Sequence, residues 1–468
     1  MKRLLLTVAT GFLIHIANAQ WIQQNAGFSN DTLGFYEMSL PNKNTAWASC
    51  FDIRAGVNGG RFILDFTRTT DGGATWIPGK VGTDHTLQIA NISAISETEA
   101  WVAMNKRYLT GGGLYHTTDG GVTWEKSNPT EIFDENSYPN FVHFRTDGNG
   151  VARNKGIAMG DPNNGYWEVY TTTNGGKKWK RVPESDLPPM VPGEFGWISG
   201  FAAVEETVWF GTSAGRMYKT TNFGKVWTVH TVDPGGKFVM EIAFNDDKLH
   251  GVAHLRNNTG TFLYSTADGG VTWTNLGQPA NWKSSRITSV PGTNALVSTG
   301  INANRAFNGS SVSYDNGTTW TELENVVPKT VSRFYDAETG YACAAFVYGP
   351  PLRGGIFKSA IVFQDPAQDN KIAAAGKKNL EQDKITADQL KVYPSPANDV
   401  VHVQLQDAFV NARTDVSILS MSGRVLESKT SVGSKSIQFN VSKLPAGVYI
   451  VRVTTNAQVT NRVITIAR

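Results

Sequence analysis

Two carboxylates, a set of arginines and a recurring aspartate are the side chains of this 468-residue chain whose types and spacing could do chemistry. Asp161 and Glu194 stand in two loops rich in glycine and proline, Met159-Gly-Asp161-Pro-Asn-Asn-Gly-Tyr166-Trp167 and Pro188-Pro-Met-Val-Pro-Gly193-Glu194-Phe195-Gly196-Trp197. A carboxyl pair flanking a glycosidic bond can supply a general acid and a base or nucleophile, so these two are the candidates for glycoside hydrolysis. The plainer reading is that glycine and proline shape turns there. Trp167 and Trp197, in the same loops, are candidate ligand contacts. Arg54, Arg107, Arg256, Arg305 and Arg353 fall in segments read as rim loops, with Arg216 close by. Guanidinium forks bind carboxylates and sulfates bidentately, chemistry that would suit an anionic glycan, although surface loops are often basic without binding anything.

The aspartate recurs within an octapeptide. Its best copies are Thr69-Thr-Asp-Gly-Gly-Ala-Thr-Trp76, Thr117-Thr-Asp-Gly-Gly-Val-Thr-Trp124, Thr266-Ala-Asp-Gly-Gly-Val-Thr-Trp273 and Ser313-Tyr-Asp-Asn-Gly-Thr-Thr-Trp320. Two further copies carry Asn174 before Trp179 and Asn222 before Trp227. The six tryptophans are 48, 55, 48, 46 and 47 residues apart, the period of a four-stranded propeller blade. An Asp or Asn can accept hydrogen bonds from the amides of its own turn, and the glycines after it can take positive φ. Six copies spread around a ring cannot converge on one substrate. Asp71, Asp119, Asn174, Asn222, Asp268 and Asp315 are therefore read as scaffold, with their tryptophans filling space between packed sheets.

Seven apolar segments ending in small residues alternate with the six boxes, centred on Trp47, Trp101, Ile157, Trp209, Val252, Val297 and Ala342. The seventh is followed by Gly354-Gly-Ile-Phe-Lys-Ser359 but by no box, while Gln20-Trp21-Ile22-Gln23 resembles the segment after each box. A strand borrowed from the N-terminus would close a ring and remove sheet edges. The octapeptide resembles the Asp-box, or BNR repeat, of sialidases, sortilin-type receptors, xyloglucanase-type hydrolases and photosystem II assembly-factor-like propellers. The resemblance implies a seven-bladed β-propeller over 20–363. Sialidases of this group place an Arg-Ile-Pro-type motif before the first box, whereas Arg61-Phe62-Ile63 stands here without the proline. Xyloglucanase-type enzymes form a cleft between two propellers, and this chain has boxes for one.

After Val362 the composition shifts to Gln, Asp, Lys and Ala, a linker over 364–390. From Lys391 short alternating segments return, enough in fewer than 80 residues for a small β-sandwich of immunoglobulin-like type. Tyr393-Pro394-Ser395-Pro396, Ser422-Gly423-Arg424, Leu444-Pro445-Ala446-Gly447-Val448-Tyr449 and the basic-apolar finish from Arg462 to Arg468 resemble the type A sorting domain of type IX secretion. The family usually has Asn where Ser395 stands. The resemblance implies export across an outer membrane by the type IX machinery, removal of 391–468, and release or surface attachment.

The chain begins Met1-Lys2-Arg3, continues with an apolar run from Leu4 to Ile16 and reaches Ala17-Asn18-Ala19, the pattern of a cleaved signal peptide over 1–19. No later run is long and uncharged enough for a transmembrane helix. Net charge is +3, falling to about +1 without Lys2 and Arg3, so charge points to neither nucleic acid nor membrane as partner. No metal-ligand spacing and no cofactor fingerprint is present. The two cysteines, Cys50 and Cys343, lie in corresponding strands of the first and seventh repeats. An oxidising compartment permits a bridge if their Cα atoms come within roughly 7 Å, and two buried free thiols are the alternative. The expectation is an exported or cell-surface binding or assembly module for a glycan or protein ligand. A glycoside hydrolase, sialidase-like or xyloglucanase-like, is the alternative.

Overall fold

The computed structural model describes residues 20–28, 33–52, 61–106, 109–146, 152–301, 307–344, 354–364, 391–404, 414–420, 425–431, 435–455 and 459–467. The signal segment, the linker, Ser422-Gly-Arg424 and four of the candidate arginines (Arg54, Arg107, Arg305 and Arg353) lie outside the described residues. The chain divides into two compact units, Met1–Pro366 and Ala367–Arg468.

Within the first unit the described strands form seven antiparallel four-stranded sheets. Their first strands, in order, are Leu33–Ser39, Leu87–Ala94, Pro139–Thr146, Gly196–Val204, Phe238–Phe244, Arg286–Ser289 and Lys329–Phe334. Six sheets use four consecutive strands, as the third does with Pro139–Thr146, Ala152–Asn163, Tyr166–Thr172 and Lys180–Arg181. The seventh takes three consecutive strands and completes itself with Trp21–Gln24, which pairs antiparallel with Gly355–Ser359 in the register Trp21↔Ser359 to Gln24↔Ile356. Trp21 Nε1 donates to Ser310 Oγ of the sixth sheet at 2.9 Å, so the borrowed strand is also tied to its neighbour.

The centre of each second strand is buried on both faces, which is why a short apolar stretch such as Val102-Ala103 or Val208-Trp209 stands there. Cores form between successive sheets. One joins the first to the second through Trp47, Phe66, Ile92 and Val102, and another joins the seventh back to the first through Val331, Tyr341, Cys343, Phe35, Cys50 and Trp76. Trp47 stacks on Phe66 at 5.2 Å and meets the Trp124 ring edge-on at 6.3 Å. Cys50 and Cys343 are both free and share this last core, so the structure holds buried thiols and no bridge. Burial pushes both thiols well up in pKa, leaving them unreactive.

Register shifts recur in the first strands, between Phe35 and Glu37, Ile89 and Asn91, Val239 and Glu241, and Lys329 and Val331. A bulge re-aims the side chain that follows it. Asn91 accordingly accepts the Val142 amide of the third sheet at 2.9 Å, and Glu37 and Glu241 both reach Arg286 of the sixth.

The second unit contains two sheets, one of Lys391–Tyr393, Val400–Gln404 and Ser436–Asn440, the other of Val425–Ser431, Thr414–Ser420, Gly447–Thr455 and Val459–Ile466. Alternation puts Ile437 and Phe439 in one core with Val401, Val416, Ile418, Val451 and Ile464. Ser395 Oγ accepts the Thr465 amide at 3.1 Å, a bond that an Asn side-chain oxygen could also take.

Candidate functional site

The boxes saturate their own carboxylates. In the first, Asp71 Oδ1 accepts Thr69 Oγ1 at 2.8 Å and the Thr75 amide at 2.9 Å, while Oδ2 accepts Thr75 Oγ1 at 2.6 Å. The same bonds recur at Asp119, Asp268 and Asp315. In the two degenerate boxes, Asn174 and Asn222 keep the amide bond to residues 178 and 226, and Lys178 and Val226 have no hydroxyl for a second oxygen to receive. Donor and acceptor have thus been lost together, leaving no orphan. The second box glycine is needed for space as well as for positive φ: a Cβ on Gly121 (φ +83°) would lie 2.2 Å from the Phe66 ring, and one on Gly176 (φ +80°) 2.3 Å from Trp101.

At the opposite ends of the sheets, the connections around the third sheet enclose a cavity of about 760 Å³. Leu109 and Thr110 begin the strand whose far end, Thr117, begins a box. Asn136 and Tyr138 come from the segment entering the third sheet, Asp161 and Pro162 from its second strand, and Gly193 to Ile198 from the segment leaving it. Gln88 and Asn140, on the first strands of the second and third sheets, complete the wall. Trp197 is 37% exposed at this cavity.

The two candidate carboxylates both line it, in opposite states. Glu194 is locked. Its Oε1 accepts Arg216 Nε at 3.0 Å and the Thr212 hydroxyl, and its Oε2 accepts the Val191 amide at 3.0 Å and Arg216 Nη2. Arg216 is held in turn against the Pro189 carbonyl at 3.0 Å and the Tyr218 hydroxyl at 2.7 Å. This carboxylate clamps its loop and has no lone pair to spare for chemistry. Asp161 Oδ1 accepts Asn140 Nδ2 at 2.7 Å and the Gly196 amide at 2.8 Å, whereas no donor among the described residues meets Oδ2. Burial, with a smaller push from Glu168, raises Asp161 to about 6.

Trp167 does not join them: it is enclosed between Phe210 and Tyr218 and offers no face to a ligand. Arg256 is exposed on the fifth sheet and does not line the cavity. Arg216, grouped with the rim arginines by sequence, faces Glu194 instead. A second, more polar cavity of about 400 Å³ runs among the first strands. At its wall, Glu37 and Glu241 are bridged by Arg286 at 3.0 Å and 3.1 Å, with Arg333 3.6 Å from Glu37. These charges cancel across four sheets and tie them together rather than facing a ligand. Among the described residues, no group of three or more His, Cys, Asp or Glu could hold a metal ion, and no helix is long and apolar enough to cross a membrane.

The family model for the photosynthesis system II assembly factor YCF48 matches residues 108–241, and that for the secretion system C-terminal sorting domain matches 391–467. The chain is a BNR-type β-propeller protein with a type IX C-terminal sorting domain. No curated protein matches it. Among solved structures, the BNR propeller is similar to YCF48 bound to a D1 peptide, at 16% identity over 73% of this chain and 96% of that one with a TM-score of 0.46. A GH74 enzyme of Niastella koreensis is 14% identical over 93% of this chain and 66% of that one, TM-score 0.44. A Hadza microbial sialidase is 13% identical over 71% and 66%, TM-score 0.38. The YCF48 model spans every residue that lines the third-sheet cavity except Gln88.

Sequence reading missed Gln88, Asn140, Tyr138 and the channel cluster of Glu37, Glu241 and Arg286. The signal available was polarity in apolar strands, as in Leu87-Gln-Ile-Ala-Asn-Ile92 and Phe238-Val-Met-Glu-Ile-Ala-Phe244. A buried polar side chain needs a partner, but only the fold names it.

Proposed function

We propose that this protein is an exported binding or assembly module whose ligand site is the third-sheet cavity. The observation that carries the reading is a large cavity walled by Leu109, Tyr138, Pro162, Phe195, Trp197 and Ile198 in which one carboxylate is locked and one is not. Such a wall suits retention of a partly apolar ligand. Among its described lining residues there is no pair of free carboxyl groups of the kind glycoside hydrolysis uses. In this reading the seven sheets are seven blades over 20–363, closed by Trp21–Gln24, with 364–390 as linker. Residues 391–468 form an immunoglobulin-like sandwich that engages the type IX machinery and is cut off, after removal of 1–19. Secretion or surface attachment follows from the sorting domain, and the ligand is a glycan or protein segment.

A second reading, glycoside hydrolase, is favoured by one observation: an acid raised to about 6 inside a cavity is the state a general acid needs. Incubation of the purified chain with polysaccharide and peptide libraries, with retention and reducing-end release followed together, separates the two. Retention without release is expected. Release that Asp161→Asn abolishes would replace the binding reading with the hydrolase.

A further inference from the structure

Three side-chain oxygens of the cavity wall have no donor among the described residues, and each can be traced bond by bond. The Pro139 carbonyl can only accept, so Asn105 turns Nδ2 toward it at 2.8 Å and presents Oδ1 to Gln88 Nε2 at 2.7 Å. Gln88 Oε1 is then left buried with no donor. Asn140 spends Nδ2 on Asp161 Oδ1, and its own Oδ1 is likewise buried and unpartnered. Gln88 is 5% exposed and Asn140 fully buried, so these two oxygens lie just behind the cavity surface. Asp161 Oδ2 is the third oxygen without a donor from the described residues. No Lys, Arg or His is among the described lining residues. The charge of Glu194 is already neutralised by Arg216, which leaves Asp161 as the one uncompensated charge among the described lining residues.

We propose that this cavity binds an organic ammonium ion, with the charged group on the Asp161 carboxylate and the apolar body among Tyr138, Phe195 and Trp197. The assignment rests on the binding reading above and names its ligand chemistry. An ammonium carries N–H donors and no acceptor, the complement of a carboxylate oxygen that no donor among the described residues meets. Aromatic faces attract a cation through their ring quadrupole, and most strongly where water is excluded. A carboxylate, sulfate or phosphate would instead meet the Asp161 carboxylate with like charge.

Three probes of one shape test it: phenethylamine, 2-phenylethanol and phenylacetate, titrated calorimetrically into the purified chain. The amine is expected to bind at least about tenfold tighter than the alcohol, and phenylacetate weakest. Asp161→Asn keeps an acceptor for Asn140 and Gly196 and should erase the preference for amine over alcohol. Trp197→Ala should weaken both probes alike. Should Asp161→Asn fail to fold, the wild-type preference compared at about pH 8 and about pH 5 gives the same information, because protonation removes the anion. Among the described residues, the titratable groups around Asp161 are Tyr138, Glu168 and the Glu194 and Arg216 pair. Equal binding of amine and alcohol, or a preference that survives in Asp161→Asn, overturns the ammonium assignment and leaves the cavity as a ligand site. Absence of binding by all three at millimolar concentration overturns both.

Discussion

At one end of the sheets Asp71 and Asp119 each accept from three donor groups of their own turn, the Thr75 and Thr123 hydroxyls foremost, and are held at about 2. At the other end Asp161, with two bonds on a single oxygen and burial dominating, sits at about 6. The side chain is the same in both places. What separates a structural carboxylate from a candidate functional one is whether the local fold has used up its lone pairs. By that measure Glu194, though it lines the cavity, belongs with the boxes.

The sharpest way to break this comparison is to remove the partner of a saturated carboxylate. Arg216→Met should strand Glu194, whose side chain is fully buried, and cost about 3–5 kcal/mol, read by denaturant unfolding or by early proteolysis of the 188–198 loop. A loss below about 1 kcal/mol would mean that Glu194 is not saturated and should be reconsidered as an acid.

Asp161 should behave in the opposite way. Its folded pKa lies above the unfolded value of about 3.9, so the folded state binds the extra proton and stability falls as pH rises from about 4 to about 6, then levels. Asp161→Asn removes that dependence and should stabilise the ligand-free chain at neutral pH by on the order of 1–2 kcal/mol. Thermal melts of both proteins across this range check it, and a destabilised variant would show that the carboxylate is satisfied after all.

The boxes should show the reverse pH sign with smaller single effects. Because their folded pKa values are depressed, their contribution is present above about pH 4 and lost as pH falls toward about 2. Asp315→Ala should cost about 1 kcal/mol, the turn being largely exposed. Asp315→Asn should cost about half as much, since it keeps the Thr319 amide bond and loses only the hydroxyl bond to Oδ2. Equal losses in the two variants would show that the second oxygen dominates.

Much of the scaffold could be read from the chain. The boxes state their own hydrogen bonds within eight residues, so donor and acceptor are both visible in sequence, down to the paired losses at Asn174 with Lys178 and Asn222 with Val226. The pairing of Trp21–Gln24 with Gly355–Ser359 followed from counting seven strand signals against six boxes. The cavity was only half legible. Asp161, Glu194 and Trp197 stood out because glycine and proline surround them, but Trp167, in the same loop, is core.

Local turn chemistry and strand periodicity were therefore determined by the sequence itself, because each depends on residues a few positions apart. The state of each carboxylate in the cavity was decided only by the tertiary structure. Arg216 reaches Glu194 from the next sheet, Gln88 lies 73 positions before Asp161, and Arg286 closes on Glu37 across the junction of the sixth and first sheets' strands. Saturation and desolvation arise from contacts between distant segments, and it is these contacts, rather than residue type, that set charge, pKa and availability for binding.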